Sequence, residues 1–143
     1  MQNTESEPEF TWSDHSLPVT GLHVTNSLVQ PLVFTVSLDQ TCKIHDLYSG
    51  QTLMSIQFSE GLHSVVVDLA EEFCYVGTAS GKIHQISLLD PPRNVELVEE
   101  AADLTKFNGH EKNIISLSVS IDASQLLSGN YSFIILIKSL EDI

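Results

Sequence analysis

The chain almost never sustains a helical period. It runs instead as short segments in which residues of one parity are apolar, each closed by a turn cluster. A period of two over five or six residues is the mark of a strand. Leu32, Phe34 and Val36 alternate with Val33, Thr35 and Ser37. Met54, Ile56 and Phe58 alternate with Leu53, Ser55 and Gln57, and Ile115, Leu117 and Val119 with Ile114, Ser116 and Ser118. Between such runs stand Asp39-Gln40, Tyr48-Ser49-Gly50, Ala79-Ser80-Gly81 and Asp122-Ala123-Ser124, residues that favour turns. The pattern predicts an all-β fold. The one exception is Val95, Val98 and Ala102, spaced three and four apart among acidic residues. We read 90–103 as an acidic surface loop with at most one helical turn, because Pro91-Pro92 excludes a strand at its start.

Short, evenly spaced strands fit a sandwich, a barrel or a propeller, and internal repetition discriminates among them. His15 is followed by Leu22 and Val24, and His110 by Leu117 and Val119 at the same offsets. A middle copy lacks the His but keeps Val67, Leu69, Tyr75-Val76-Gly77-Thr78 and the turn Ser80-Gly81. The turn positions Asp39, Ser80 and Ser132 lie 41 and 52 residues apart. The first spacing matches one four-stranded propeller blade of roughly 40–45 residues, and the second is one blade plus the acidic insert. The expected architecture is therefore a β-propeller segment of about three four-stranded blades, an incomplete ring, with blades near 15–58, 60–107 and 110–143. Residues 1–9 are expected to form an acidic, disordered tail.

Charge narrows the partners. Six Lys and Arg against 19 Asp and Glu give a net charge of −13. So few cations cannot build the basic stripe that a phosphate backbone requires, and the same balance disfavours docking on anionic membranes. The N-terminal run Met1-Gln2-Asn3-Thr4-Glu5 has neither the cationic nor the apolar stretch of a signal peptide. Cys42 and Cys74 sit inside strand-like runs. Two cysteines in a chain able to build a core read as reduced apolar fillers, which points to cytosol or nucleus.

Chemistry was sought in the histidines and carboxylates. His15, Ser37 and Asp39 have the composition of a catalytic triad, but each falls on a repeat position, so the structural reading prevails. His23, His45 and His84 have no neighbours at metal-ligand spacing. Gly77-Thr78-Ala79-Ser80-Gly81 is a strand-to-turn connection rather than a phosphate loop. No catalytic, cofactor or metal site is expected. Gln85 stands where the other copies have Ile44 and Ile137, either hydrogen-bonding within its sheet or marking an irregular strand.

The run Asp39-Gln40-Thr41-Cys42-Lys43-Ile44-His45-Asp46-Leu47 resembles the WD-repeat signature, in which Trp-Asp closes the third strand; here His45-Asp46 stands in that place. Gly109-His110 resembles the Gly-His pair that opens a repeat. His15 to His23, Ser37 to Thr41, Val67 to Glu71 and Leu117 to Ser120 extend the likeness over about residues 10–132, toward the branch of the WD-repeat family that processes pre-ribosomal RNA.

The resemblance implies a hydrogen-bonded chain of four residues in each blade: the opening His, a Ser or Thr late in the second strand, the turn Asp and the third-strand Trp. In the first blade these are His15, Ser37, Asp39 and His45. In the second, Glu60, Thr78, Ser80 and Ile86 take the positions and the chain is expected to be broken; in the third, His110, Asn130, Ser132 and Lys138 do, and Lys cannot replace Trp in a core. The family ring has about seven blades, so Phe10-Thr11-Trp12 reads as the closing strand of an absent preceding blade. The stop at Ile143, just past a third strand, reads as a truncated or mispredicted product.

The implied function is that of a non-catalytic scaffold subunit in a nuclear complex. That complex processes the internal spacer of ribosomal RNA and assembles the large ribosomal subunit, in nucleolus and nucleoplasm. The implied partners are a helical-repeat scaffold protein and an AAA-type ATPase, with RNA contacted only indirectly and no small-molecule substrate or cofactor. The rival readings are a peptide-recognition propeller such as a ubiquitin-ligase substrate receptor, and a truncated product without function.

Overall fold

The computed structural model describes residues 7, 9–88, 110 and 112–130, with 135–139 as backbone. The acidic insert 90–103, most of the tail and Gly109 lie outside the described residues. The described residues hold ten strands and no helix: β1 (Val19–Val24), β2 (Leu32–Ser37), β3 (Thr41–Asp46), β4 (Thr52–Gln57), β5 (Leu62–Val67), β6 (Phe73–Thr78), β7 (Ile83–Ser87), β8 (Ile114–Val119), β9 (Gln125–Asn130) and β10 (Ile135–Ser139). They form three antiparallel sheets in simple meander order, β1-β2-β3-β4, β5-β6-β7 and β8-β9-β10. Each sheet is open, and the first strands are neighbours in space, β5 touching both β1 and β8. This is the geometry of consecutive propeller blades around an axis.

The copies repeat in detail. Each first strand carries a register shift near its start, between Val19 and Gly21, Leu62 and Ser64, and Ile114 and Ser116. Glu71 and Ala123 hold positive φ at matching turns, where Asp68 Oδ1 accepts from the Glu72 and Phe73 amides and Ser120 Oγ from the Ser124 and Gln125 amides. The third register shift alters one expectation. Ile114 is fully buried while Ile115 is exposed, so the alternation read from Ile115 onward does not begin with a core residue.

Two cores lie between the sheets. Phe34, Val36, Cys42, Ile44, Ile56 and Phe58 of the first sheet and its edge pack on Leu62, Val65, Val67, Cys74, Val76 and Ile86 of the second. Val66, Tyr75 and Ile83 of the second pack on Ile114 and Leu126 of the third. The middle sheet is therefore buried on both faces. This explains why Val65-Val66-Val67 and Phe73-Cys74-Tyr75-Val76 read as continuous apolar runs rather than alternating ones. Gly77 permits the second contact, since a side chain there would collide with Ile114 and the Ser64 hydroxyl. Hydroxyls tie adjacent sheets together: Thr20 donates to the Leu62 carbonyl (2.6 Å) and Ser64 to the Ile114 carbonyl (2.8 Å). Cys42 and Cys74 are both free and buried in the first core.

Phe10-Thr11-Trp12 is not a strand. Trp12 folds back onto the first sheet, stacking on His45 with ring centroids 4.7 Å apart and donating its indole N–H to the Gly50 carbonyl at 2.9 Å. Phe10 lies against Trp12 and Gly50. The segment forms a strap over the blade it precedes.

Candidate functional site

The first blade gathers its polar residues into one chain, partly buried along its middle and exposed at the Asp14 end. The β2–β3 turn carries Asp39, whose Oδ1 accepts from the Thr41 amide (2.9 Å) and hydroxyl (2.6 Å). Its Oδ2 accepts from the Ser16 amide at 3.0 Å and faces His15 Nδ1 at 2.9 Å. Burial pushes the Asp39 carboxyl up, but the hydrogen bonds from Thr41, His15 and the Ser16 amide outweigh it and hold its pKa at about 2. His15 Nε2 then meets Thr35 Oγ1 (2.8 Å), Thr35 Oγ1 meets His45 Nε2 (3.1 Å), and His45 Nδ1 meets Thr52 Oγ1 (3.0 Å). Thr52 donates to Asp14 Oδ2 at 3.2 Å. His45 is completely buried, and burial is the main cause that lowers its pKa.

One expected member is displaced. Ser37 donates to the Leu17 carbonyl (2.9 Å) and accepts from the Asp39 amide (3.0 Å), so it supports the turn instead of linking the rings. Thr35, two residues earlier, makes that link, because residues two apart on a strand share a face and Thr35 is the one opposite the imidazoles. The third blade repeats the offset: His110 Nε2 lies 2.7 Å from Ser128 Oγ, and Ser128, not Asn130, is the hydroxyl two residues inside the strand. The side chains of Ser132 and Lys138 lie outside the described residues. Nor do His15, Ser37 and Asp39 form a catalytic arrangement, since the Ser37 hydroxyl points to a backbone carbonyl and not to His15. Asp46 accepts from the Tyr48 and Ser49 amides and from Gln30, closing the β3–β4 turn.

The middle blade is not simply broken. Glu60 occupies the place of the opening His and Ser80 that of the turn Asp, and the two bond twice: the Ser80 amide donates to Glu60 Oε1 (2.7 Å) and its hydroxyl to Oε2 (2.8 Å). The acid and its partner have exchanged places. The chain reaches only as far as Thr78, whose hydroxyl lies 3.4 Å from that of Ser80 and donates to the Lys82 carbonyl, and Ile86 packs in the first core. Gln85 donates to the Tyr75 hydroxyl at 3.2 Å within a regular strand pairing. This swap makes a prediction. Ser80→Asp sets two carboxylates together and costs about 1 kcal/mol at this exposed site, and adding Glu60→His restores the loss. Urea unfolding of the single and double variants measures it; an additive double variant would sink the exchange.

The surface is uneven. Leu28 and Val29 stand 90 % and 87 % exposed at the tip of the β1–β2 loop, and Val19, Leu22 and Val24 are exposed along β1. Among the described residues no group of three or more His, Cys, Asp and Glu side chains could hold a metal ion.

Comparison with known proteins follows the same map. The family model "WD domain, G-beta repeat" matches residues 6–46 and 102–137. The stretch between them holds Glu60 and Ile86, where the motif has been replaced. WD repeat-containing protein 18 of Rattus norvegicus is 40 % identical over 126 residues, 87 % of this chain and 29 % of that protein. Pre-rRNA-processing protein pro-1 of Caenorhabditis elegans is 30 % identical over 131 residues, 87 % of this chain and 25 % of that protein. Pre-rRNA-processing protein IPI3 of Yarrowia lipolytica is 32 % identical over 137 residues, 88 % of this chain and 32 % of that protein. The chain thus spans about a third or less of the curated relatives it matches.

Proposed function

Because the chain belongs to the WD-repeat family, we propose that it serves as a non-catalytic scaffold in ribosomal RNA processing, within a nuclear and nucleolar complex that trims internal spacer and assembles the large ribosomal subunit. The observation that carries the reading is the likeness, over nearly nine-tenths of the chain, to relatives whose names place them in pre-rRNA processing. The polar residues of the first blade support it from the other side. They are spent on one another and on backbone groups, an arrangement that rigidifies loops. Exposed apolar side chains on β1 and on the β1–β2 loop supply surface for protein partners. A helical-repeat scaffold protein and an AAA-type ATPase are the partners in this reading. The charge of −13 makes contact with RNA indirect.

Affinity purification of the tagged protein, with its depletion in parallel, tests the proposal. Recovery of pre-ribosomal subunits and accumulation of spacer-containing precursor RNA are expected. Unchanged spacer processing on depletion would overturn it, recovery of a ubiquitin-ligase adaptor would favour a peptide-recognition role, and recovery of chaperones alone would favour a product without function.

A further inference from the structure

The hydrogen-bonded chain of the first blade has an acid at both ends, and its protons can be counted. Thr41 spends its hydroxyl proton on Asp39 Oδ1 at 2.6 Å, so toward His15 Nδ1, 3.1 Å away, it can only accept. His15 Nδ1 therefore carries a hydrogen, shared with Asp39 Oδ2. At the other end Thr52 donates to Asp14, so His45 Nδ1 must donate to Thr52. Thr35 lies between the two Nε2 atoms and has one proton to give. If it goes to His45, His15 needs a second N–H; if it goes to His15, His45 does. From Asp39 to Asp14 there are five links, and two neutral imidazoles with two hydroxyls supply four protons.

We propose that the His15–Thr35–His45–Thr52 chain is a proton-binding site: it is complete only when the two imidazoles together hold one proton beyond their neutral forms. The proton belongs to the pair, since either ring can carry it by a shift of the Thr35 hydroxyl. A second extra proton is refused, because both Nε2 atoms would then donate to Thr35 and leave its own proton without an acceptor.

The charged groups facing the pair among the described residues are Asp39 from the β2–β3 turn, Asp14 from the strap and Lys43 from β3, the last 4.0 Å from Asp14. Two acids against one base favour the cation. Burial of His45 opposes it on that ring, while Asp39 stands against the other. Loss of the proton must break one link. The weakest is Thr52 to Asp14, the longest and the most exposed of the five. Thr52 then turns its proton to His45, and the strap carrying Asp14 loses that anchor to β4. Proton occupancy is thereby coupled to how firmly residues 10–14 are held on the blade.

Imidazole nitrogen NMR of the full chain, labelled at histidine and titrated from about pH 5 to about pH 8, tests this. One proton is expected to titrate across His15 and His45 as a unit. Asp14→Asn, at an exposed position, lets an amide N–H donate to Thr52 and completes the chain with neutral rings. It should lower the midpoint by about one pH unit, a tenfold loss of proton affinity. Thr52→Val removes two links and should do the same; if that variant unfolds, as far-UV circular dichroism would reveal, Asp14→Asn decides. Identical midpoints in the parent chain and Asp14→Asn, independent titration of the two rings, or rings that stay neutral throughout would each overturn the proposal.

Discussion

Replacing Phe34 by alanine is expected to lower the unfolding free energy by about 3–5 kcal/mol, the largest effect of any single truncation considered. Phe34 is completely buried on the face of β2 that meets the middle sheet, within a cluster drawn from both sheets. Its removal leaves a cavity between two blades rather than within one, and neither sheet can close it without breaking its own strand pairing. Small domains are stable by only about 5–15 kcal/mol, so the variant loses a large fraction of the total. Tyr75 provides the internal comparison, since it belongs to the other core. Urea midpoints of Phe34→Ala, Tyr75→Ala and the pair should be additive within about 0.5 kcal/mol. A loss below about 1 kcal/mol for Phe34→Ala would contradict the two-core arrangement.

His15→Ala is expected to cost about 2–3 kcal/mol and to change how stability depends on acid. The side chains of His15 and Asp39 are only 7 % and 6 % exposed, so water cannot replace what is lost. Asp39 loses one partner and Thr35 another. In the parent chain the Asp39 carboxyl is held at about 2, below its unfolded value of about 3.9. A group depressed in this way contributes its full stability above the unfolded value and loses it as pH falls toward 2. The parent should therefore lose stability between about pH 4 and about pH 2, and His15→Ala should flatten that part of the profile. Unfolding free energies measured across that range, with Ser37→Ala alongside, provide the check. An unchanged acid profile in His15→Ala would show that Asp39 draws its stabilisation from Thr41 and the Ser16 amide alone.

Legibility in the sequence followed the range of the interaction. The hairpins were readable because their signals are local: period-two alternation, Asp and Ser at turns, and the 41-residue return from Asp39 to Ser80. His15, Asp39 and His45 were placed by the motif; His15 bonds Asp39 directly, and only Thr35 connects His15 to His45. Thr35 was missed in favour of Ser37 because both are hydroxyls on the same strand face, and only the position of the incoming imidazole separates them. The offset at His110 and Ser128 was a usable signal, since choosing the hydroxyl two residues further inside both strands makes the copies agree. Glu60 was read as a loss, because a motif position records residue type and not whether the acid and its partner have changed sides.

Trp12 was the largest misreading. Its place before the first repeat suggested the closing strand of a preceding blade, and nothing near it in sequence could reveal that it would fold back on His45. The middle blade's unbroken apolar runs likewise carried their meaning in the fold alone, since a face is buried only if another sheet arrives to cover it.

By itself, the sequence determined strand, turn and repeat, because these rest on contacts between residues a few positions apart. It also determined the net charge of −13, which is a sum and needs no geometry. The tertiary structure alone decided which hydroxyl bridges the two imidazoles, where the strap lies and that the chain between Asp39 and Asp14 is one proton short. Those depend on the direction of each hydrogen bond between segments up to 38 residues apart, and direction is a property of placed atoms rather than of residue order.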